Sequence, residues 1–181
     1  KLCSDKLFIA ANNLSGGQKT RFSVVRYGNV AGSRGSVIPF FKELIASGKT
    51  SLPLTHPDMT RFIITLEQGV NLVKTALDEM FGGEIFVPKL PSLKIIDLVP
   101  LLGKGLDVHT TGIRPGEKLH EVMIPAEEIR NTVDMGMHYI IQPNHHWWNV
   151  SDFKRAVETR GKPVNGIQEY ASDTNLHWLT Q

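Results

Sequence analysis

Apolar residues recur at helical spacing from Cys3 through Leu7, Ala10 and Ala11 to Leu14, and Gly16-Gly17 closes the run. The pattern predicts a helix that packs through one face. Arg21 to Tyr27 is β-branched and aromatic, which predicts a short buried strand. Gly28 to Gly35 follows as a glycine-rich loop. Ser36 then stands where an N-cap belongs, with Pro39 in the first turn of a helix. Phe41, Leu44 and Ile45 form its inner face, and Ser47-Gly48 ends it.

A short extended piece is expected at Ser51 to Thr55, then a polar turn at His56-Pro57-Asp58 and an apolar run from Met59 to Ile64. Leu66 to Met80 is the clearest helix, with Leu66, Val70, Val73, Leu77 and Met80 predicted as its packed stripe. Glu84 to Val87 reads as a strand and Ile95 to Leu102 as a short helix. Leu106 to Thr111 reads as a strand, Ala126 to Thr132 as a weak helix and Met137 to Ile141 as a strand. Beyond Pro143 the periodicity is poor, and the chain is expected to wrap the surface. The alternation of helix, strand, Gly-rich loop and helix is that of a doubly wound α/β sheet, where ligands sit at the carboxyl ends of strands. The loop after Tyr27 lies at such an end.

Composition adds boundaries. With 41% apolar and 21% charged residues among 181, the chain can build a core. The net charge of +2, with no clustered Lys and Arg face, argues against nucleic acid and is compatible with a phosphorylated small molecule. The single cysteine, Cys3, forbids an internal disulfide and is read as a small buried apolar residue in a reducing, cytoplasmic setting. No apolar run reaches the ~20 residues that cross a bilayer. The sequence opens without Met, inside a helical pattern, and is read as a fragment.

Three segments carry candidate chemistry. In Arg26 to Phe41, glycines allow close backbone approach, Arg26 and Arg34 offer planar forks suited to phosphate, and Asn29 can both donate and accept. The plainer reading is a turn with two solvated arginines. In Met59-Thr60-Arg61-Phe62, an arginine between apolar neighbours must snorkel or find an anion. In Gly112 to Glu121, the Pro115-Gly116 turn presents Arg114 and Glu117, which suit a phosphate and a ribose hydroxyl or else form a surface ion pair. His145-His146-Trp147-Trp148 lacks ligand spacing, so a surface turn is expected there and no metal site.

Taken in order, Lys1 to Phe8, VVRYGNVAGSRGSVIPFF, Met59 to Phe62, Gly83 to Pro88, GIRPGEKLHEVMIP, Ser172 to Asn175 and Trp178-Leu179 resemble the inverting UDP-N-acetylglucosamine 4,6-dehydratases. These are extended short-chain dehydrogenases that make the first intermediate of pseudaminic acid. RYGNV marks only the broader superfamily, whereas GIRPGEKLHEVMIP is more specific. The resemblance implies the carboxy-terminal half of a partial doubly wound Rossmann-type sheet with a small α/β substrate-binding domain. Residues 1–55 would be the remnant of the dinucleotide-binding domain with its substrate loop, and 56–181 mainly substrate-binding.

The resemblance also implies roles. Lys1 takes the place of the Lys in a catalytic Tyr-x-x-x-Lys pair that holds the nicotinamide ribose, its Tyr lying outside this chain. Val30 and Arg34 match positions near an NADP cofactor. Asn29, Ser36, Val37, Ile38, Pro39, Phe40, Arg61, Arg114 and Glu117 match contacts around the UDP part of a UDP-N-acetylglucosamine-type substrate. No metal is implied, and the full-length enzyme is expected to be a homo-oligomer. The Gly-rich dinucleotide fingerprint and the upstream acid/base pair are absent, so this stretch alone is expected to be inactive. Trp178 to Gln181 reads as the start of a last helix. An epimerase of the same superfamily, or a non-catalytic sugar-nucleotide-binding module, remains as an alternative.

Overall fold

The computed structural model describes residues 2–15, 19–143, 151, 153, 155, 157 and 160–179. In chain order the elements are α1 (Leu2–Ala10), a 3-10 turn (Ala11–Leu14), β1 (Val24–Val25), β2 (Asn29–Val30), α2 (Val37–Ala46), β3 (Ser51–Leu54), β4 (Thr60–Ile64), α3 (Leu66–Glu79), β5 (Ile85–Pro88) and β6 (Ser92–Lys94). They continue with a second 3-10 turn (Ile95–Asp97), α4 (Leu98–Leu102), β7 (Asp107–Thr110), β8 (Val122–Ile124), α5 (Ala126–Ile129), β9 (Thr132–Asp134), β10 (His138–Ile141), β11 (Lys162–Pro163) and β12 (Tyr170–Ala171). The chain is mixed α/β, with β1 parallel to β5, β2 to β4 and β3 to β7, in keeping with a partial Rossmann-like fold.

Two compact units interleave along the chain. The first comprises residues 1–27, 67–89 and 123–170. Its sheet runs β1-β5-β10-β9-β11, with β1 parallel to β5 and the remaining pairs antiparallel. All four residues of β5 are buried, as a strand covered on both faces requires. Phe86 and Ile140 meet Leu72, Ala76 and Phe153 in the core of this unit.

Three expectations fail here. The packed face of α3 is Gly69, Leu72 and Ala76, while Leu66, Val70, Val73 and Leu77 are exposed. Leu72 and Ala76 are one turn apart and share a core cluster with Phe86. Both sets lie side by side on one broad apolar arc, and periodicity cannot say which edge of it meets the sheet. In α1, Ile9 is buried, whereas Cys3 and Leu7, and Leu14 in the following 3-10 turn, are exposed, so Cys3 is no core residue. The segment after Pro143 is not mere wrapping, since Phe153 and Tyr170 are buried. The predicted stop at Gly16-Gly17 and the His145 to Trp148 turn lie outside the described residues.

The second unit comprises residues 28–66, 90–122 and 171–181. β4 lies between β2, to which it is parallel, and β6, to which it is antiparallel. β3 and β7 form a separate parallel ribbon. Phe41, Leu52 and Val99 form one core cluster, with Leu44 and Ile45 packed against it as the α2 pattern predicts. Leu54, Met59 and Ile95 form another, joined by Val37 and Leu119. Gly28 allows β2 to reach β4: a Cβ built there falls 2.4 Å from the Phe62 carbonyl oxygen. Trp178 does not begin a helix; it bridges Ser92 as extended chain, and the Leu179 N–H donates to the Ser92 carbonyl at 2.9 Å.

Candidate functional site

A cavity of 410 Å³ opens within the second unit. The loop after β2 forms one wall, with Asn29, Val30, Ala31, Gly32, Gly35 and Ser36. Val37, Ile38 and Phe41 continue it along the first turns of α2. Pro53, Leu54, Met59, Ile63, Ile95 and Leu98 line it with apolar groups, Thr55 adds a hydroxyl, and Arg61, Glu117 and Glu121 add charge. An apolar cleft with a few convergent polar groups is the usual form of a small-molecule site.

The loop geometry explains the opening. Gly35 has φ 74°, a conformation that glycine adopts without strain, and it turns the chain into the helix. A Cβ built on Gly32 or Gly35 would meet nothing within 4 Å, so bare backbone faces open space. Ser36 sits at the N-cap of α2 with φ −80° and ψ 168°, yet its side chain makes no capping bond. Its Oγ is buried and without a hydrogen-bond partner. The first N–H groups of a helix lack intrahelical partners. Those of Val37 and Ile38, with the Ser36 hydroxyl, therefore give this wall free donors and the positive end of a helix, the features that bind phosphate.

Glu117 is shaped by its own turn. Its N–H donates to the Arg114 carbonyl at 2.9 Å, and its carboxylate takes only long contacts, from the Arg114 N–H at 3.3 Å and the Thr55 hydroxyl at 3.4 Å. That carboxylate keeps acceptor capacity for a ligand hydroxyl. Arg61 behaves differently. Although it lines the cavity, it is only 9% exposed, and its two Nη atoms donate to the carbonyls of Thr60, Leu119 and Lys118 at 2.7, 3.0 and 2.8 Å. Its Nε lies 3.5 Å from the Glu121 carboxylate. The buried arginine has found backbone carbonyls and one carboxylate within the protein.

Of the residues singled out in the sequence, Asn29, Val30, Ser36, Val37, Ile38, Arg61 and Glu117 share this cavity. Arg34, Pro39, Phe40 and Arg114 do not line it; Arg34, Phe40 and Arg114 are exposed. Lys1 lies outside the described residues. Glu121, Thr55 and Met59 line the cavity without having been singled out for it. The spacing of Glu121, four residues after Glu117, was the available signal.

Arg26 is no free phosphate fork. It belongs to the first unit, where Nε donates to Asp5 at 2.8 Å and Nη1 donates to Glu128 at 2.6 Å and to the Met123 carbonyl at 2.9 Å. Lys6 reaches the same Glu128 carboxylate at 3.2 Å. Burial pushes the Glu128 carboxyl up, but the bonds and charges of Arg26 and Lys6 outweigh it, and the group titrates below its ordinary 4.5. Burial alone would lower the Arg26 guanidinium, yet Glu128 and Asp5 raise it further. Among the described residues, no group of His, Cys, Asp and Glu could hold a metal ion, and no helix is long and apolar enough to cross a membrane.

Over 183 aligned residues the chain is 49% identical to a UDP-N-acetylglucosamine 4,6-dehydratase (inverting) of Campylobacter jejuni, covering 100% of this chain and 55% of that protein. It is 39% identical over 145 residues to a UDP-glucose 4-epimerase of Rickettsia canadensis, covering 78% of this chain and 42% of that one. The chain thus spans about half the length of the curated relatives it matches. The crystal structure of Pen from Bacillus thuringiensis superposes with a TM-score of 0.83 at 29% identity, over 99% of this chain and 53% of that one. The model of the family described as polysaccharide biosynthesis protein matches residues 1–143. The chain belongs to the polysaccharide biosynthesis protein family.

Proposed function

We propose that the protein carrying this chain is a UDP-N-acetylglucosamine 4,6-dehydratase that inverts the sugar at its 5-position, serving the biosynthesis of pseudaminic acid or related surface glycans. The observation that carries this reading is the 49% identity to such an enzyme over the whole chain, cavity segments included. In this reading the α2 N-terminus and the Ser36 hydroxyl take the diphosphate, and Glu117 accepts from a ribose hydroxyl. Asn29 and the first turn of α2 through Phe40 flank the nucleotide. The exposed Arg114 closes on the diphosphate from its Pro-Gly turn.

A nicotinamide cofactor, NADP in this reading, supplies hydride acceptance from the sugar 4-position and hydride return at the 6-position after loss of water. The open backbone at Gly32 and Gly35 leaves room for a bulky ligand beside Val30 and Arg34, and Lys1 would hold the nicotinamide ribose. The contribution of this chain is to neutralise the diphosphate and hold the sugar still, so that remote binding energy aligns the reacting carbons. The working form is proposed to be a cytoplasmic homo-oligomer.

The test is to incubate the whole protein with UDP-N-acetylglucosamine and NADP and follow the sugar by NMR. A 4-keto-6-deoxy sugar inverted at the 5-position is expected. The 39% identity to a 4-epimerase supports a second reading, in which the product is the 4-epimer with the 6-hydroxyl retained. Absence of any UDP-sugar binding would sink both.

A further inference from the structure

Among the described residues two carboxylates line the cavity, and they are held beside different strands. Glu117 follows the Pro115-Gly116 turn and lies 3.4 Å from the hydroxyl of Thr55, the residue after β3. Glu121 directly precedes β8, and its Oε1 lies 3.5 Å from Nε of Arg61 in β4. That separation is longer than a good hydrogen bond, and 40% of the Glu121 side chain is exposed. The carboxylate therefore keeps most of its acceptor capacity. The guanidinium beside it offsets its charge, so a second acid can stand in a cavity suited to phosphate. The main chain of Glu121 is fixed separately. Its N–H donates to the Ser172 hydroxyl at 2.9 Å, and its carbonyl accepts from the Ser172 N–H at 2.8 Å. Ser172 is fully buried, so this anchor does not depend on the Glu121 side chain. β4 in turn pairs with β2, Asn29 opposite Ile63, and Arg61, Ile63 and Asn29 all line the cavity. Glu121 is thus joined to the strand next to β2, and β2 leads into the Gly-rich loop.

We infer that Glu121 is a specificity-determining residue, whose carboxylate accepts a hydrogen bond from the sugar of a bound sugar nucleotide, either from a ring hydroxyl or from an acetamido N–H. This inference rests on the sugar-nucleotide reading of the cavity. In that reading Glu117 takes the ribose and the α2 N-terminus takes the diphosphate, which leaves the sugar for the second acid. The sugar must also lie against the nicotinamide, because hydride passes between them, and the cofactor contacts of that reading follow β2. An ionised carboxylate only accepts, so it welcomes a hydroxyl or amide hydrogen and repels a phosphate oxygen at the same spot. Glu121 would thereby keep the diphosphate from sliding along the cavity and hold the nucleotide in one register. A site built to bond a donor discriminates strongly against an analogue that lacks it.

The test is calorimetry on the whole protein with UDP, UDP-glucose and UDP-N-acetylglucosamine, comparing the wild type with Glu121→Ala and Glu121→Gln. Glu121→Ala is expected to bind UDP as well as the wild type or slightly better, because a like charge has left the cavity. Its affinity for UDP-N-acetylglucosamine should fall about tenfold, the scale of one hydrogen bond to a charged group. Glu121→Gln keeps an acceptor and should recover part of that loss. A loss confined to UDP-N-acetylglucosamine assigns the acetamido N–H, and a loss shared with UDP-glucose assigns a hydroxyl. If all three ligands weaken by one factor, Glu121 acts through Arg61 or the wall, and the inference is overturned. Unchanged affinities for both sugars overturn it as well. In either case a wild type that binds UDP leaves the sugar-nucleotide reading standing. A wild type that binds none of the three ligands overturns that reading, and this inference with it.

Discussion

The Glu128 carboxylate sits 2.6 Å from Nη1 of Arg26, and both side chains are nearly buried. Asp5 holds the other side of the guanidinium at 2.8 Å, so α1, the residue that follows β1 and α5 are tied at one point of the first unit. Removing one member of such a network leaves charges without partners in a poorly solvated place. Arg26→Met should destabilise the protein by about 3 kcal/mol in urea unfolding. Combining it with Glu128→Met and Asp5→Leu should recover most of that loss, because no buried charge is then orphaned. A loss below about 0.5 kcal/mol for the single change, the scale of an ordinary exposed pair, would show that the network is solvated.

Acid should weaken the first unit in two stages. Burial lowers His138 below its ordinary 6.5, against the opposing pull of the Glu79 carboxylate 3.3 Å away. Because the folded state binds this proton less readily than the unfolded chain, the contribution is whole above pH 6.5 and is lost as pH falls through the lower folded value. Glu128 lies below 4.5, and Asp134 below 3.8 because Lys89 and the Gly136 N–H outweigh burial. Their contributions are likewise lost as pH falls beneath those values. Melting temperatures across this range should show His138→Gln flattening the upper stage alone. A variant that melts in parallel with the wild type from neutral pH down to pH 4.5 would show that His138 is not the group responsible.

Gly28→Ala tests the close approach of β2 to β4. The added carbon would lie 2.4 Å from the Phe62 carbonyl oxygen and 2.7 Å from its Cβ, with the strand pairing holding both backbones in place. Overpacking of this kind costs about 2 kcal/mol, so thermal unfolding should fall by several degrees. An unchanged melting temperature would mean that the strands separate freely there.

Ser36 should separate stability from binding. An N-cap serine replaced by alanine ordinarily costs about 1 kcal/mol. Here the hydroxyl caps nothing, so Ser36→Ala is expected to leave the melting temperature within a degree while UDP affinity falls several-fold. A clear loss of stability with unaltered affinity would return the hydroxyl to an ordinary capping role.

Glu84 is fully buried and accepts from the N–H groups of Phe81 and Gly82 and from the Ser23 hydroxyl, at 2.9, 2.8 and 2.8 Å. It closes the turn between α3 and β5. Glu84→Leu strands three donors and should cost about 3 kcal/mol, while Glu84→Gln, which keeps one acceptor, should cost less. Equal losses measured by urea unfolding would point to packing and not to the lost acceptors.

Much of this chain could be read from its sequence because the governing forces are local. Glycine at 28 and 35, Ser36 before an apolar helix, and the β-branched run through Val24-Val25 specify turn, helix start and strand within a few residues. The cavity loop followed from them, since a strand feeding a Gly-rich turn and a helix leaves free backbone donors at one place. What the sequence could not decide was which of two equivalent choices the rest of the chain would make. α3 carries one broad apolar arc, and only contact with Phe86 and Ile140 selected the edge with Leu72 and Ala76 as its buried face. Arg26, Arg61 and Arg114 are the same residue type, all drawn towards anions. Tertiary structure gave Arg26 two carboxylates from distant segments, gave Arg61 three carbonyls, and left Arg114 exposed. An arginine's charge is a property of its sequence, but its partner is whatever acceptor folding brings within 3 Å, and only the fold makes that assignment.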